Sequence, residues 1–182
     1  MKYWLKARTY FEIVNDSLGT SKALNNVSLV LNSTGDFEKS LTLKKDALRL
    51  CPSSSNKSWK IVLLQNLAST YRQLKLHDSS FYYLDKVYTI AQKSGSKRDL
   101  GNYYHQYSIN NLELGNYEAA IEYANKVQNE YRDYVSRPML ENSIFHSAEA
   151  LNKQGDYREA LKKANQSLTM VKESGMIINA AE

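Results

Sequence analysis

Apolar residues recur along this chain three and four positions apart, which is the spacing of one face of a helix. The strongest example lies between residues 112 and 127, where Gly115 separates two such patterns. A glycine there ends the first helix in a left-handed conformation, and Asn116 is expected to cap the second helix with its side-chain oxygen. The second pattern has one apolar face, formed by Tyr117, Ala120, Ile121 and Ala124. We therefore predict a helical hairpin with a sharp turn at Gly115.

The same break and the same face return every 40 residues. The residues at the break are Gly35, Lys75, Gly115 and Gly155. The faces that follow the other three breaks are Ser40, Leu41, Lys44 and Ala47; Ser80, Phe81, Leu84 and Val87; and Ala160, Leu161, Ala164 and Ser167. Turns that recur in phase predict repeats of one supersecondary unit, here a pair of helices that we name A and B.

Several of these segments carry a known pattern. Gly-Asp-Phe at 35–37, Gly-Asn-Tyr at 115–117 and Gly-Asp-Tyr at 155–157 open B helices, and Asn-Leu-Ala-Ser-Thr-Tyr at 66–71 lies within an A helix. With these residues the whole chain resembles the tetratricopeptide repeat family, in a long-period form found in bacterial regulatory and sensor proteins. It departs from the commonest form in its longer period, about 34 residues being usual, and in lacking the early tryptophan of helix A. The second repeat is the least typical, because Lys75 replaces the glycine.

The resemblance implies an all-α fold, an α-solenoid of antiparallel helix hairpins wound into a right-handed superhelix. The pattern predicts helices over about 2–15, 20–34, 36–50, 58–74, 78–93, 97–114, 117–134, 138–154 and 157–173. We expect residues 1–182 to form a single array: the end of a truncated repeat (1–19), four repeats (20–56, 57–96, 97–136 and 137–176) and the start of a further one (177–182).

Because the chain begins within one repeat and ends within another, we expect it to be a piece of a longer array. Apolar residues near both ends would then lack their natural cover: Trp4, Phe11 and Val14 at one end, and Leu168, Val171, Ile177 and Ile178 at the other. Uncovered apolar patches of this kind promote association, so a homo-oligomer formed through the array ends is expected.

The charge of the chain, +5 overall, lies mainly in its first half. Residues 1–91 hold 13 Lys and Arg against 7 Asp and Glu, whereas residues 92–182 hold 11 against 12. The cations alternate with acids and form no compact basic and aromatic cluster, which disfavours nucleic-acid binding. No apolar run is long enough to span a membrane, and no signal peptide follows Met1, so the compartment stays open with the cytoplasm favoured.

The sequence contains no motif for catalysis, so we expect neither an enzyme nor a cofactor. Cys51 is the only cysteine and is expected to be a small residue at a helix end. His105 and His146 lie on successive A helices and are expected to face one groove, with no further ligand placed to complete a metal site. The 14 tyrosines, 7 of them between Tyr103 and Tyr134, favour packing, with Tyr104, Tyr107 and Tyr117 in core phases. An aromatic surface for a partner is the alternative.

In proteins that resemble this one, A helices line a concave face, and ligand contacts recur at fixed phases. Transferred by period, these phases hold Asn25, Leu29 and Asn32; Gln65, Ser69 and Arg72; His105, Ile109 and Leu112; and Phe145, Glu149 and Asn152. Neighbouring phases add Asn26, Asn66, Gln106 and His146. A carboxamide offers both a donor and an acceptor, as a peptide backbone does. We expect this row to hold an extended peptide, with Arg72 pairing a carboxylate and Leu29 and Ile109 accepting side chains.

The resemblance implies a non-catalytic module that binds a protein or an extended peptide. We expect it to be the sensor or scaffold part of a larger bacterial signalling or transcription-regulatory protein. One alternative is a structural array used for self-association, and a less favoured one is RNA binding by helical repeats. The identity of the partner is not encoded in any motif of the chain.

Overall fold

A computed structural model of the chain describes residues 2–52 and 57–173, with the side chains of residues 2–5, 7 and 8 excepted. Within these residues the backbone forms nine helices and no strand. The helices are α1 (Lys2–Ile13), α2 (Ser17–Ser33), α3 (Phe37–Leu50), α4 (Lys57–Gln73), α5 (His77–Ser94), α6 (Lys97–Glu113), α7 (Tyr117–Asn129), α8 (Arg137–Gln154) and α9 (Tyr157–Glu173). The predicted all-α class and the predicted succession of A and B helices are confirmed.

The chain divides into two compact units between Ser94 and Gly95, within a predicted turn. In unit 1, α2 pairs with α3 and α4 with α5, while α1 packs on α2 and α3 packs on α4. In unit 2, α6 pairs with α7 and α8 with α9, and both α6 and α7 pack on α8. Each unit is thus a stack of helix hairpins, and the grouping of all 182 residues into one array stays a prediction.

Small and branched residues fill the space between the helices. In unit 1, Leu24, Ala47 and Leu63 form a buried cluster, and in unit 2 Ala124 and Val127 are fully buried. Burying one leucine of this kind contributes about 2 kcal/mol to folding, because its apolar surface leaves water. The alanines keep the helices of a hairpin close enough for this packing.

The turn between the helices of each hairpin has the same geometry in all four repeats. Gly35, Lys75, Gly115 and Gly155 have φ angles of +82°, +60°, +79° and +90°. The amide of the residue after each bonds to the carbonyl five residues earlier, as in Leu76 N to Tyr71 O at 2.9 Å. This is the Schellman motif, which satisfies carbonyls left open at a helix end. The predicted left-handed turn is therefore present even where a lysine occupies it.

Serine hydroxyls join the helices at positions that also repeat. Ser40 Oγ donates to Ser28 O at 2.8 Å within the first hairpin, and Ser108 Oγ donates to Ala120 O at 2.8 Å within the third. Both pairs join residues 12 apart, and the second pair lies two periods after the first. These bonds fix the two helices of a hairpin in register without adding bulk between them.

Two predicted local features differ from the structure. Helix α7 ends at Asn129 instead of 134, because residues 130–135 form turns that place Val135 against α6. Asn116 occupies the cap position of α7 but its side chain makes no capping bond; its Nδ2 donates instead to Asn111 Oδ1 at 3.3 Å.

The expected uncovered residues fall partly within the described part of the chain. Val14 and Leu168 are exposed, and Phe11 is half-buried. The side chain of Trp4 and the residues Ile177 and Ile178 lie outside the described residues. Among the described helices, none combines the length and the apolar character needed to cross a lipid bilayer.

Candidate functional site

Successive A helices contact each other through side chains 38 and 41 residues apart. In unit 1, Asn66 Nδ2 donates to Asn25 Oδ1 at 2.9 Å, and Asn32 Nδ2 donates to Gln73 Oε1 at 2.7 Å, both across 41 residues. Thr70 Oγ1 lies 3.0 Å from Asn32 Oδ1 across 38 residues. Some of the carboxamides that were predicted to bind a ligand therefore form hydrogen bonds between the helices.

In unit 2 the residues that correspond to Asn25 and Asn66 are His105 and His146, and Ser143 adds a further contact between the same two helices. The rings of His105 and His146 stack with 5.7 Å between their centroids, and His105 Nδ1 lies 2.9 Å from Ser143 Oγ. The expected proximity of the two histidines is confirmed. Among the described residues no group of three or more His, Cys, Asp and Glu side chains could hold a metal ion.

A stripe of exposed or half-buried side chains remains on each A helix. The stripes hold Lys22, Asn26, Leu29 and Ser33 on α2; Val62, Asn66, Ser69 and Gln73 on α4; Asn102, Gln106, Ile109 and Glu113 on α6; and Asn142, His146, Glu149 and Lys153 on α8. We call the stripes of α2 and α4 the open face of unit 1, and those of α6 and α8 the open face of unit 2. In unit 1 the same position of the stripe holds a carboxamide on both A helices, Asn26 and Asn66, and we call this pair the carboxamide column. In unit 2 the corresponding residue of α6 is Gln106.

In unit 1 the residues that were predicted to contact a ligand differ in how exposed they are. Leu29 is 43% exposed, and Gln65 and Arg72 are half-buried. Asn25 is only 2% exposed because it packs towards α4, where its side-chain oxygen accepts the bond from Asn66. On the open face of unit 1, Asn66 is therefore more accessible than Asn25.

In unit 2, Glu149 and Asn152 are exposed and Ile109 is half-buried. His105 is 9% exposed, since its ring lies under His146 and beside Ser143. The more exposed of the two histidines is thus His146, which lies one residue after a predicted ligand-contact position.

The interior of unit 1 contains a polar group that the sequence pattern did not reveal. Lys44 is 1% exposed, and its Nζ donates to Thr70 Oγ1 and, at 3.3 Å, to Asn32 Oδ1. Burial lowers the pKa of Lys44 to about 8, because the charged form loses its hydration. The only sequence signal was a cation at the phase that holds Leu84, Ala124 and Ala164 in the other repeats.

Several tyrosines form packed ring clusters, and Tyr104, Tyr107 and Tyr117, which were predicted in core phases, are half-buried. In unit 2, Tyr103 contacts Tyr104 and Tyr107, with centroids 5.0 and 4.9 Å apart, and Tyr103 is buried. Lys126 Nζ lies 5.2 Å from the ring centroid of Tyr104 and 5.3 Å from that of Tyr123, within range of cation–π attraction. These rings are engaged with one another and with a cation.

An apolar groove of about 510 Å³ lies between α8 and α9. Its walls include Phe145, Tyr157 and Leu161, each of them more than half exposed. Glu149 and Asn152 stand at the same groove, so this part of unit 2 combines apolar and polar contacts.

Comparison with solved structures supports the fold across most of the chain. The apo form of RapI superposes with a TM-score of 0.83 at 15% identity over 94% of this chain and 63% of RapI. Aspartyl phosphate phosphatase F from Bacillus subtilis gives 0.83 at 16% identity, over 97% of this chain and 46% of that protein. A signal transduction ATPase from Pyrococcus horikoshii with a tetratricopeptide repeat sensor gives 0.75 at 19% identity, over 95% and 28%. This chain therefore spans less than two thirds of each of these proteins.

When the sequence itself is compared with family models, one family matches. A search of curated protein sequences returns no match. The tetratricopeptide repeat family model matches residues 60–132, from α4 to the turn after α7. Residues 60–132 thus match the tetratricopeptide repeat family, and the described helix hairpins share the fold of the structural neighbours, with left-handed turns that recur every 40 residues.

Proposed function

We propose that this chain is a non-catalytic binding module whose open faces hold extended peptide segments. We infer further that it serves as the sensor or scaffold part of a larger bacterial signalling or regulatory protein. The observation that carries the first proposal is the carboxamide column of unit 1, Asn26 and Asn66, neither of them buried, on its two successive A helices. The second is supported by the structural neighbour whose tetratricopeptide repeats are described as a sensor.

A carboxamide column suits a peptide backbone because each amide can donate to a carbonyl and accept from an N–H. Each such bond contributes about 0.5–1.5 kcal/mol, so micromolar affinity requires several of them together with apolar contacts. In unit 1, Leu29 offers an apolar contact beside the column and Arg72 is suited to a ligand carboxylate. Gln65 adds a buried Nε2 without an acceptor among the described residues, which a bound carbonyl would satisfy after a side-chain rotation.

Unit 2 offers a second face of the same kind. Gln106 occupies the same position of its repeat as Asn26 and Asn66 do in unit 1, and Ile109 is the apolar neighbour at the phase of Leu29. Glu149 and Asn152 supply polar groups at the edge of the apolar groove of α8 and α9. A peptide on this face would place an apolar side chain near Phe145.

Peptide selection from a random library against the full chain tests the proposal. The affinities of selected peptides are then measured for the wild type, for Asn26→Ala with Arg72→Ala, and for Gln106→Ala with Ile109→Ala. We expect one of the two double variants to lose at least about tenfold in affinity, since each removes two contacts. Asp85→Ala with Thr89→Ala, at exposed positions on a B helix, is the matched control and is expected to bind like the wild type.

Each variant must first show the thermal unfolding of the parent. If selected peptides bind both face variants as tightly as the wild type, the open faces are not the binding site. Salt-sensitive binding of RNA to the wild type, with no peptide selected, would instead favour the nucleic-acid alternative.

Self-association is the second candidate function, and the exposed apolar groove of α8 and α9 favours it. Phe145, Tyr157 and Leu161 together form the kind of patch that a second copy of the chain would cover. Sedimentation equilibrium of the wild type and of Leu161→Glu distinguishes the two. A dimer that Leu161→Glu dissociates, together with no peptide selected, would support this alternative over peptide binding.

A further inference from the structure

A buried lysine in unit 1 stands where the other repeats carry apolar residues. Lys44 lies inside the packing of α2, α3 and α4, at the phase of Leu84, Ala124 and Ala164. No carboxylate in the described part of the chain pairs with it, and it therefore gains no ion-pair energy there. A buried cation without a counter-charge costs stability, so its presence points to a role other than packing.

The polar groups around Lys44 converge on one oxygen. Asn32 Oδ1 lies 3.3 Å from Lys44 Nζ, 3.0 Å from Thr70 Oγ1 and 3.3 Å from Ser40 Oγ. The two hydroxyls can rotate and either donate or accept, whereas an ammonium can only donate. Lys44 is thus the one group of this cluster that dictates which end of the Asn32 amide faces the interior.

The orientation of Asn32 then decides that of Gln73. With its oxygen held by Lys44, Asn32 turns its Nδ2 towards Gln73 Oε1 at 2.7 Å. Gln73 must therefore direct its own Nε2 the other way, and no described residue accepts from that nitrogen. Gln73 is half-buried on the open face of unit 1, so an N–H donor is presented there. Without Lys44, both amides could turn over together and keep the bond between them.

We propose that Lys44 is a positioning residue that fixes the direction of the Asn32–Gln73 amide pair, so that Gln73 offers a donor to an acceptor oxygen of a bound peptide. The proposal rests on the peptide-binding function of the open faces and specifies which chemistry unit 1 selects at this point. Lys44 itself does not touch the ligand, because it lies beneath Asn32.

The proposal implies a pH dependence with a defined sign. Burial lowers the pKa of Lys44 to about 8, and the groups that face its Nζ, Asn32 from α2 and Thr70 from α4, are uncharged. Below this pH the ammonium holds the amides in one direction. Above it the neutral amine gains a lone pair, and the constraint on both amides is released.

Nuclear magnetic resonance of the full chain tests this without any ligand. We expect the Lys44 Cε signal to titrate with a midpoint near its lowered pKa, and the side-chain amide signals of Asn32 and Gln73 to follow the same curve. In Lys44→Met the pH response of both amides is expected to disappear. Lys86→Met, which removes an exposed lysine of α5, is the control and is expected to keep the response.

Amide signals of Gln73 that stay fixed while Lys44 titrates in the wild type would overturn the proposal, and this result needs no variant. For a peptide selected on unit 1, we expect a 3- to 10-fold weaker affinity for Lys44→Met and a similar loss in the wild type above the midpoint. Equal affinity of the two proteins for that peptide would also overturn it. Failure to select any peptide bears on the proposed function alone, since the titration is measured on the free protein.

Discussion

The ring of His146 stacks on that of His105, 41 residues earlier, with 5.7 Å between the ring centroids. The same offset separates Asn66 from Asn25 and Gln73 from Asn32 in unit 1. Residues 41 positions apart, one more than the 40-residue period of the turns, therefore contact each other across two successive A helices. A residue at a predicted ligand-contact position is therefore shielded from solvent wherever the residue 41 positions away has a side chain long enough to reach it.

Lys75→Gly is expected to stabilise the chain by roughly 0.5–1 kcal/mol. Its φ of +60° is unfavourable for a residue with a Cβ and free for glycine. Urea unfolding measures the change, and Lys93→Gly, in the last turn of α5, serves as the control. The control is expected to lose about 1 kcal/mol, as glycine does within a helix. Destabilisation by Lys75→Gly would show that the lysine side chain contributes more than the turn costs.

Gly115→Val is expected to cost about 1–2 kcal/mol or more. The φ of +79° leaves a branched side chain in a strained conformation, although a Cβ would meet only the ring of Tyr117, at an ordinary contact distance of 3.9 Å. Thermal unfolding monitored by circular dichroism gives the change. A melting temperature equal to that of the wild type would mean that the turn can adopt another conformation.

Gly101→Ala is expected to destabilise unit 2 by about 1–3 kcal/mol through overpacking. A Cβ at this position would lie 2.5 Å from Val135 Cγ1 and 3.1 Å from Tyr131 Cβ. Combining it with Val135→Ala removes the closer clash, so the double variant is expected to lose less than the two single changes together. Chemical unfolding of all four proteins gives this coupling, and strictly additive losses would exclude the clash as the cause.

Arg137→Ala is expected to cost about 1–3 kcal/mol, because it leaves the buried carboxylate of Glu141 unpaired. Arg137 Nε donates to Glu141 Oε1 at 3.0 Å, and its Nη2 donates to Met170 O at 2.7 Å near the end of α9. Adding Glu141→Gln removes the unpaired charge and is expected to recover part of the loss in urea unfolding.

The control for Arg137 is Lys162→Ala, which breaks an exposed ion pair with Glu159 at 2.9 Å. Exposed pairs contribute about 0.2–1 kcal/mol, so its loss is expected to be small. Equal losses in Lys162→Ala and Arg137→Ala would mean that the burial of Glu141 adds nothing to the pair.

Stability is expected to rise with pH between about 8 and 10.5 through Lys44. The folded-state pKa is lowered, so in this interval the unfolded chain binds the proton that the folded chain has released. The gain is at most about 3 kcal/mol, and Lys44→Met is expected to abolish it while being at least as stable as the parent at pH 7. Burial also lowers the pKa of Lys163, but that contribution is common to both proteins.

The difference between the unfolding free energies of wild type and Lys44→Met, measured from pH 7 to 10.5, isolates the lysine. A difference that does not change with pH would show that Lys44 has an ordinary pKa in the folded chain.

The succession of hairpins could be predicted from the amino-acid sequence, because the signals involved are local. An apolar face at helical spacing and a residue tolerant of positive φ act within a few positions, so Gly35, Gly115 and Gly155 marked their turns and the period identified Lys75 as the fourth. Helix ends followed for the same reason, except at α7. There the end depends on Val135 packing against Gly101, a contact between residues far apart in the chain.

The exposure of the polar residues on the A helices could not be predicted in the same way. The period placed Asn25, Asn32 and His105 on A helices, but the offset of 41 residues between neighbouring helices follows from how the helices pack. The burial of Lys44 depends likewise on α2 and α4 closing over α3, since a cation within an apolar pattern usually indicates a solvated position. Side-chain burial is set by neighbours from other helices, and the spacing along one helix does not contain that information.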